Sequence, residues 1–263
     1  MKIHFLGCRA SSEAIPKYKH TSFVIEINDV LYWFDAGEGC SSTAHRMGMN
    51  LLKIKEIFIS HPHMDHVGGL GNLLWTMRKL SESRKQLPVY GNIGLHISDL
   101  LTWEGLWKLL KNTEDNFAWE CKVIPAQITE GEIFRDKNLS VCAVHNGHMA
   151  QKETDIWLSF SFEICCEEKR IVYSGDIKGL SDLDELLECP CDYLLIENSH
   201  QSIEEICEYA NQKKIGTVVF LHHRRDVMEN MAEARSKAQK LARCKVLFAR
   251  DGDTLRIPGI KVE

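Results

Sequence analysis

Three histidines and an aspartate fall within six residues, His61-Pro62-His63-Met64-Asp65-His66, directly after the apolar run 54–60. Side chains two apart on an extended backbone point the same way, so His61 and His63 can reach one ion together. Neutral imidazole and carboxylate suit zinc, iron or manganese. The next residues, Val67-Gly68-Gly69-Leu70, turn the chain into a helix. Such a strand-to-helix loop is where a scaffold presents functional groups. A solvated His-rich loop or a tag would not end a buried strand, so the cluster reads as a metal site.

A chain of 263 residues can bury a full core, and 44% hydrophobic with 26% charged residues is a globular composition. The formal net charge of −5 gives no bulk attraction to nucleic acid or to an anionic membrane. Arg235, Lys237, Lys240, Arg243 and Lys245 are interleaved with alanine and leucine, as on the solvated face of a helix. The opening residues are too short and mixed for a signal peptide, and no apolar run approaches a membrane span. Ten cysteines without a regular framework point to a reducing, cytoplasmic setting. Cys165-Cys166 and Cys189-Pro190-Cys191 lack zinc-knuckle spacing and read as structural.

Strands are expected over 2–6, 22–27, 31–35 and 54–60, with Asn28-Asp29 turning the second into the third. Helices are expected over 70–80 and 94–111, the latter with Leu95, Leu101, Leu106, Leu109 and Leu110 on one face. Further strands should cover 139–144, 158–165, 170–174, 193–196 and 217–221, with helices over 202–212 and 226–242. Runs 245–249 and 254–257 should close the chain as a hairpin around Asp251-Gly252-Asp253. Trp75, Trp103 and Trp107 fill a core or stack on a base. Two strand-rich stretches of similar make-up predict an α/β fold of two packed mixed β-sheets with helices outside. That is a four-layer αββα sandwich, read as one domain over 1–263.

Three more strands deliver a ligand-type side chain as they end. Residues 141–144 lead into His145-Asn146-Gly147-His148, 171–175 into Asp176, and 218–221 into His222-His223. With these in view the chain resembles the metallo-β-lactamase fold superfamily, whose His-x-His-x-Asp-His signature is matched by His61, His63, Asp65 and His66. Asp35-Ala36-Gly37-Glu38-Gly39 resembles the family's Asp-x-Gly turn. Tyr173-Ser174-Gly175-Asp176 resembles its bridging-aspartate motif, and residues 248–253 its closing hairpin.

The resemblance implies two divalent metal ions, zinc first, with iron or manganese as alternatives. One would be held by His61, His63 and His148, with His145 as the alternative third ligand. The other would be held by Asp65, His66 and His222, with His223 as the alternative, and Asp176 would bridge. Two cations lower the pKa of a shared water and clamp attacking and leaving oxygens, so a metal-bridging hydroxide can attack a phosphodiester. Asp65 would orient that hydroxide, and His200 or His223 would protonate the leaving group. The expected function is a dinuclear metal-dependent hydrolase, of phosphodiesterase type, acting on a small-molecule or nucleotide phosphoester.

Within the superfamily the layout resembles the ribonuclease Z branch, which makes tRNA 3′ processing, an RNA substrate and a homodimer the second expectation. Two features depart from that branch. The 28-residue step from His148 to Asp176 holds no proline and is too short for a tRNA-gripping arm. The branch's His-Glu-Ala-Thr motif appears as Ile196-Glu197-Asn198-Ser199, which leaves His200 as the nearby substitute histidine. The same ligands also serve thioesterases, lactonases and non-haem iron oxygenases, and a non-catalytic metal-binding module is a further alternative.

Overall fold

The computed structural model describes residues 1–10, 15–112, 121–149 and 156–258, which divide into two units. The first takes in 1–7, 19–128 and 251–258. It runs through β1 (Lys2–Gly7), β2 (Ser22–Ile27), β3 (Val30–Phe34), α1 (Cys40–Arg46), β4 (Ile54–Ile59) and α2 (Met64–Val67). It continues with α3 (Leu70–Arg84), β5 (Asn92–Ile97), α4 (Leu100–Asn112) and β6 (Lys122–Gln127). The second unit includes β7 (Gly131–Arg135), β8 (Leu139–His145), β9 (Phe160–Cys166), β10 (Lys169–Tyr173) and β11 (Cys191–Asn198). It ends with α5 (Ile203–Ala210), β12 (Ile215–His223), α6 (Arg225–Glu229), α7 (Met231–Leu241) and β13 (Lys245–Phe248). The last strand, β14 (Thr254–Arg256), belongs to the first unit.

The first sheet has the order β14-β1-β2-β3-β4-β5-β6, antiparallel up to β3 and parallel beyond it. Asn28 and Asp29 take left-handed φ values of 50° and 66°, as the two-residue β2–β3 hairpin requires. Period-2 alternation then sorts the strands' side chains. Trp33, Ile57, Ile59 and Leu95 join Leu70, Leu73, Leu74 and Met77 of α3 in one apolar cluster. The alternate residues Phe23, Phe34, Phe58 and His96 are cross-strand partners that stack at centroid distances of 4.9, 4.8 and 4.6 Å. Trp103 lies in the helix-side cluster and Trp107 packs against it, so Trp103 is a core residue.

The second sheet has the order β13-β12-β11-β10-β9-β8-β7, parallel from β13 to β10 and antiparallel beyond. Val172, Leu194, Ile196, Val218 and Phe220 pack on Ile206 and Cys207 of α5 and on Ala234 and Ala238 of α7. Ser202 starts α5 with a capping box, exchanging bonds with Glu205 at 3.2 and 2.9 Å.

Three sequence expectations need correction. Residues 94–111 are not one helix: 94–97 belong to β5, and α4 starts only after Asp99, whose carboxylate accepts from Leu101 N–H and Thr102 Oγ1. A short apolar run fits both periods, so the pattern could not separate strand from helix. The helix over 226–242 is broken at Asn230, whose φ of −122° lies outside the helical range. The closing hairpin is also not formed, because β13 pairs with β12 and β14 with β1, in different sheets.

Candidate metal centre

In the first unit β4 ends at Ile59 and hands the chain to a buried cluster. His61 and His66 are fully buried and Asp65 is 3% exposed. The carboxylate of Asp35, just past β3, organises them: Ser60 N–H and Oγ–H donate to it at 2.7 and 2.9 Å, and His66 Nδ1 pairs with it at 2.8 Å. With Nδ1 engaged, Nε2 is the nitrogen that His66 could offer a metal, the arrangement a carboxylate usually imposes on a metal histidine. Asp35 adopts a left-handed φ of 51°, a conformation that costs a non-glycine residue on the order of 1–3 kcal/mol and gathers at functional sites.

The Asp-x-Gly turn is there because backbones touch. Ala36 N–H donates to the His66 carbonyl at 2.6 Å and Gly69 N–H to the Ala36 carbonyl at 2.7 Å. A Cβ on Gly69 would stand 2.2 Å from the Gly37 carbonyl oxygen, and one on Gly37 2.3 Å from that of Asp65. Only glycine allows this approach.

In the second unit the candidates come from three separate strand ends. His148 follows β8, Asp176 follows β10, and His222 lies at the end of β12 with a left-handed φ of 49°. Asp176 Oδ2 lies 3.2 Å from His222 Nε2 and 3.8 Å from His148 Nε2. His148, Asp176 and His200 offer ligand atoms within 4.8 Å of one another. Asn146, 2% exposed, accepts from His148 N–H at 3.1 Å and donates to Ser161 Oγ at 3.1 Å.

The remaining histidines sort by their bonds. His145 pairs with Glu130 and stacks on Trp157, and neither contact involves His148 or Asp176. His223 Nε2–H donates to the Ala249 carbonyl at 2.9 Å, and its Nδ1 lies 3.2 Å from the Asn198 side-chain amide. Burial pushes its pKa down to about 4, so at neutral pH it is an uncharged structural group. His200, 42% exposed at its side chain, pairs through Nδ1 with Glu197 Oε1 at 2.9 Å and meets the His148 ring edge-on at 4.9 Å.

Sequence reasoning missed Glu197 as a partner. It is fully buried, and its Oε2 accepts from Ser199 N–H at 2.6 Å, Ser199 Oγ at 2.8 Å and His200 N–H at 2.9 Å. Burial alone would raise its pKa, but the His200 hydrogen bond brings it below the usual carboxylate value. The available signal was the Glu197–His200 spacing, three residues apart at a strand end.

Nitrogen and oxygen ligands about 2.0–2.2 Å from one tetrahedral ion stand roughly 3.3–3.6 Å apart. Within the first unit His61 Nε2 and His63 Nδ1 are 3.1 Å apart, and Asp65 Oδ2 and His66 Nε2 3.7 Å. The Asp176 spacings bracket the same range. Imidazole and carboxylate groups at these distances suit coordination of a divalent cation.

Among known proteins, ribonuclease Z of Parabacteroides distasonis is 29% identical over 156 residues, 56% of this chain and 45% of that protein. The chain spans under half the length of the curated relatives it matches. The metallo-β-lactamase fold protein YhfI of Bacillus subtilis aligns over 97% of this chain and 98% of its own, with a TM-score of 0.73 and 16% identity. A diphosphatase of the PhnP family aligns over 98% of both chains, with a TM-score of 0.65 and 18% identity. These likenesses give the chain the metallo-β-lactamase fold, as its motifs implied. The family model described as "Anti-Pycsar protein Apyc1" matches residues 1–248, and the chain belongs to that family.

Proposed function

We propose that the two ligand sets together hold two divalent metal ions and that the protein is a phosphodiester hydrolase. His61, His63 and His148 take one ion, Asp65, His66 and His222 the other, and Asp176 bridges. The observation that carries this reading is the full set of ligand-type side chains on strand-end loops, at ligand-like spacing within each unit. Zinc is the ion this histidine-rich set suits first, with iron or manganese as alternatives.

Two such ions would supply an ionised water at neutral pH and neutralise the phosphoryl oxygens. The chain's own groups do the rest. Asp65 accepts a hydrogen bond from the attacking water and so aims its lone pair. Glu197 holds His200 by Nδ1, which leaves Nε2 to pass a proton to the leaving oxygen. His223, buried and bonded through Nε2 to the Ala249 carbonyl, has no part in that transfer. The substrate is a small-molecule or nucleotide phosphoester, a reading supported by the fold shared with a diphosphatase. Ribonuclease Z-like cleavage of RNA is the second reading, favoured by the curated relatives.

Metal analysis of the purified protein, beside an assay on bis(p-nitrophenyl) phosphate with metals supplied, tests this. Two ions per chain with cleavage is the expected result, and pre-tRNA tested alongside separates the two readings. Two ions without cleavage would move the chemistry to thioester, lactone or oxygen substrates. A protein that binds no metal would overturn the proposal.

A further inference from the structure

One carboxylate outside the ligand set gathers two of the loops that carry ligands. Asp182, in the short 3-10 turn Leu180–Leu183, accepts on Oδ2 from Gly147 N–H at 3.2 Å, Lys178 N–H at 2.9 Å and Gly179 N–H at 3.4 Å. Gly147 directly precedes His148, and Lys178 lies two residues past Asp176. The Lys178 carbonyl in turn accepts from Gln201 Nε2 at 3.1 Å, next to His200. Three segments, each carrying one member of the His148, Asp176 and His200 group, are therefore tied by four hydrogen bonds that touch no ligand atom.

A plain turn cap would explain only part of this. The bonds to Lys178 and Gly179 are local, four and three residues back, as capping aspartates make. The bond to Gly147 spans 35 residues and does nothing for the turn. The fit is close as well: a Cβ on Gly147 would stand 3.3 Å from the Lys178 side chain and 3.4 Å from Asp182 Oδ1. An ionised acceptor makes stronger bonds to N–H than a neutral one, so the carboxylate suits a brace.

We infer that Asp182 is a positioning residue: it fixes His148 against the bridging Asp176 through their backbones. This rests on the metal reading above. Its consequence is graded. Both ions share Asp176, but only one uses His148, so that ion should feel the loss of Asp182 more than the ion held by Asp65, His66 and His222.

The test uses the full chain as wild type, Asp182→Ala and Asp182→Asn, each titrated with zinc against a chromophoric chelator. Wild type should bind two ions. In Asp182→Ala one ion should weaken by about tenfold or more and the other clearly less, as for other outer-shell partners of metal ligands. Asp182→Asn, which keeps an oxygen acceptor without the charge, should fall between and serves if the alanine variant does not fold. At saturating zinc, kcat on bis(p-nitrophenyl) phosphate should drop while KM holds within about twofold, the pattern of a lost transition-state interaction. Equal affinity for both ions, or equal weakening of both, overturns the inference. A metal-free wild type would sink the metal reading alone. Hydrogen exchange over 145–149 and 176–179, faster in Asp182→Ala, would then still support the brace, and unchanged exchange would overturn it.

Discussion

The two units share a plan, a seven-stranded mixed sheet with helices, yet they present the proposed ligands in opposite ways. The first offers four within six residues running into α2, where covalent adjacency does most of the alignment and Asp35 finishes it. The second delivers three from the ends of β8, β10 and β12, which no short covalent path connects. It uses side-chain braces instead: Asn146 and Asp182 for the His148 loop, Glu197 for Ile177 N–H and His200. Burial does not follow that division: His66, Asp176 and His222 are all buried, whereas His63 is exposed and the His148 side chain keeps 11% exposure. A compact local cluster is rigid by sequence, and a dispersed one is only as rigid as its hydrogen bonds.

The harshest way to break the comparison is to remove one ligand from each unit. Asp65→Ala and Asp176→Ala should both reduce phosphodiester turnover to background while circular dichroism stays near wild type. Activity surviving in either variant would exclude that unit's ligands from the reaction. The glycines come next. Gly69→Ala places a Cβ against backbone and should cost about 1–3 kcal/mol in urea unfolding. Gly147→Ala meets mainly the flexible Lys178 side chain and should cost under about 1 kcal/mol. A reversed order would mean that the second unit's loops are the more rigid. Asp35→Asn should then weaken zinc binding by about 10–100-fold, as losing a carboxylate behind a metal histidine does. An Asp35→Asn protein with unchanged affinity would show that covalent adjacency alone suffices.

The same contrast explains what could be read from the sequence. The cluster at 61–66 is legible because ligand spacing and strand end coincide within a few residues. His148, Asp176 and His222 are legible only as strand-end coincidences, sharpened by the family's motifs. Their braces were invisible: nothing in the sequence links Asp182 to Gly147 across 35 residues. In the fold, buried strands such as β2 and β4 are mostly apolar and β-branched or aromatic, and were found. Strands β6 and β7 were missed because they are edge strands, largely exposed, with Pro125 in one and Gly131 opening the other. Splitting 245–257 between two sheets is a tertiary outcome that turn residues do not encode.

Away from the ligands the contrast should vanish, and the smallest effects test that. Each sheet has a partly buried carboxylate tying neighbouring strands. In the first, Lys2 Nζ and His4 Nε2 meet Glu26 at 2.9 and 2.7 Å. In the second, Arg170 N–H and Lys169 Nζ meet Asp192 at 2.9 and 2.8 Å. Burial would raise both pKa values, but these partners bring Glu26 below its ordinary 4.5 and Asp192 below its ordinary 3.8. A carboxylate with a depressed folded pKa stabilises fully above its ordinary value and loses that contribution as pH falls through the folded one. Glu26→Gln and Asp192→Asn should therefore each cost under about 1 kcal/mol at pH 7, solvent screening included. Below both folded pKa values the urea midpoints of both variants should converge on wild type. A cost at Asp192 that persisted in acid would trace to the neutral hydrogen bond from Arg170 rather than to charge, and would extend the second unit's reliance on directed bonds beyond its ligand loops.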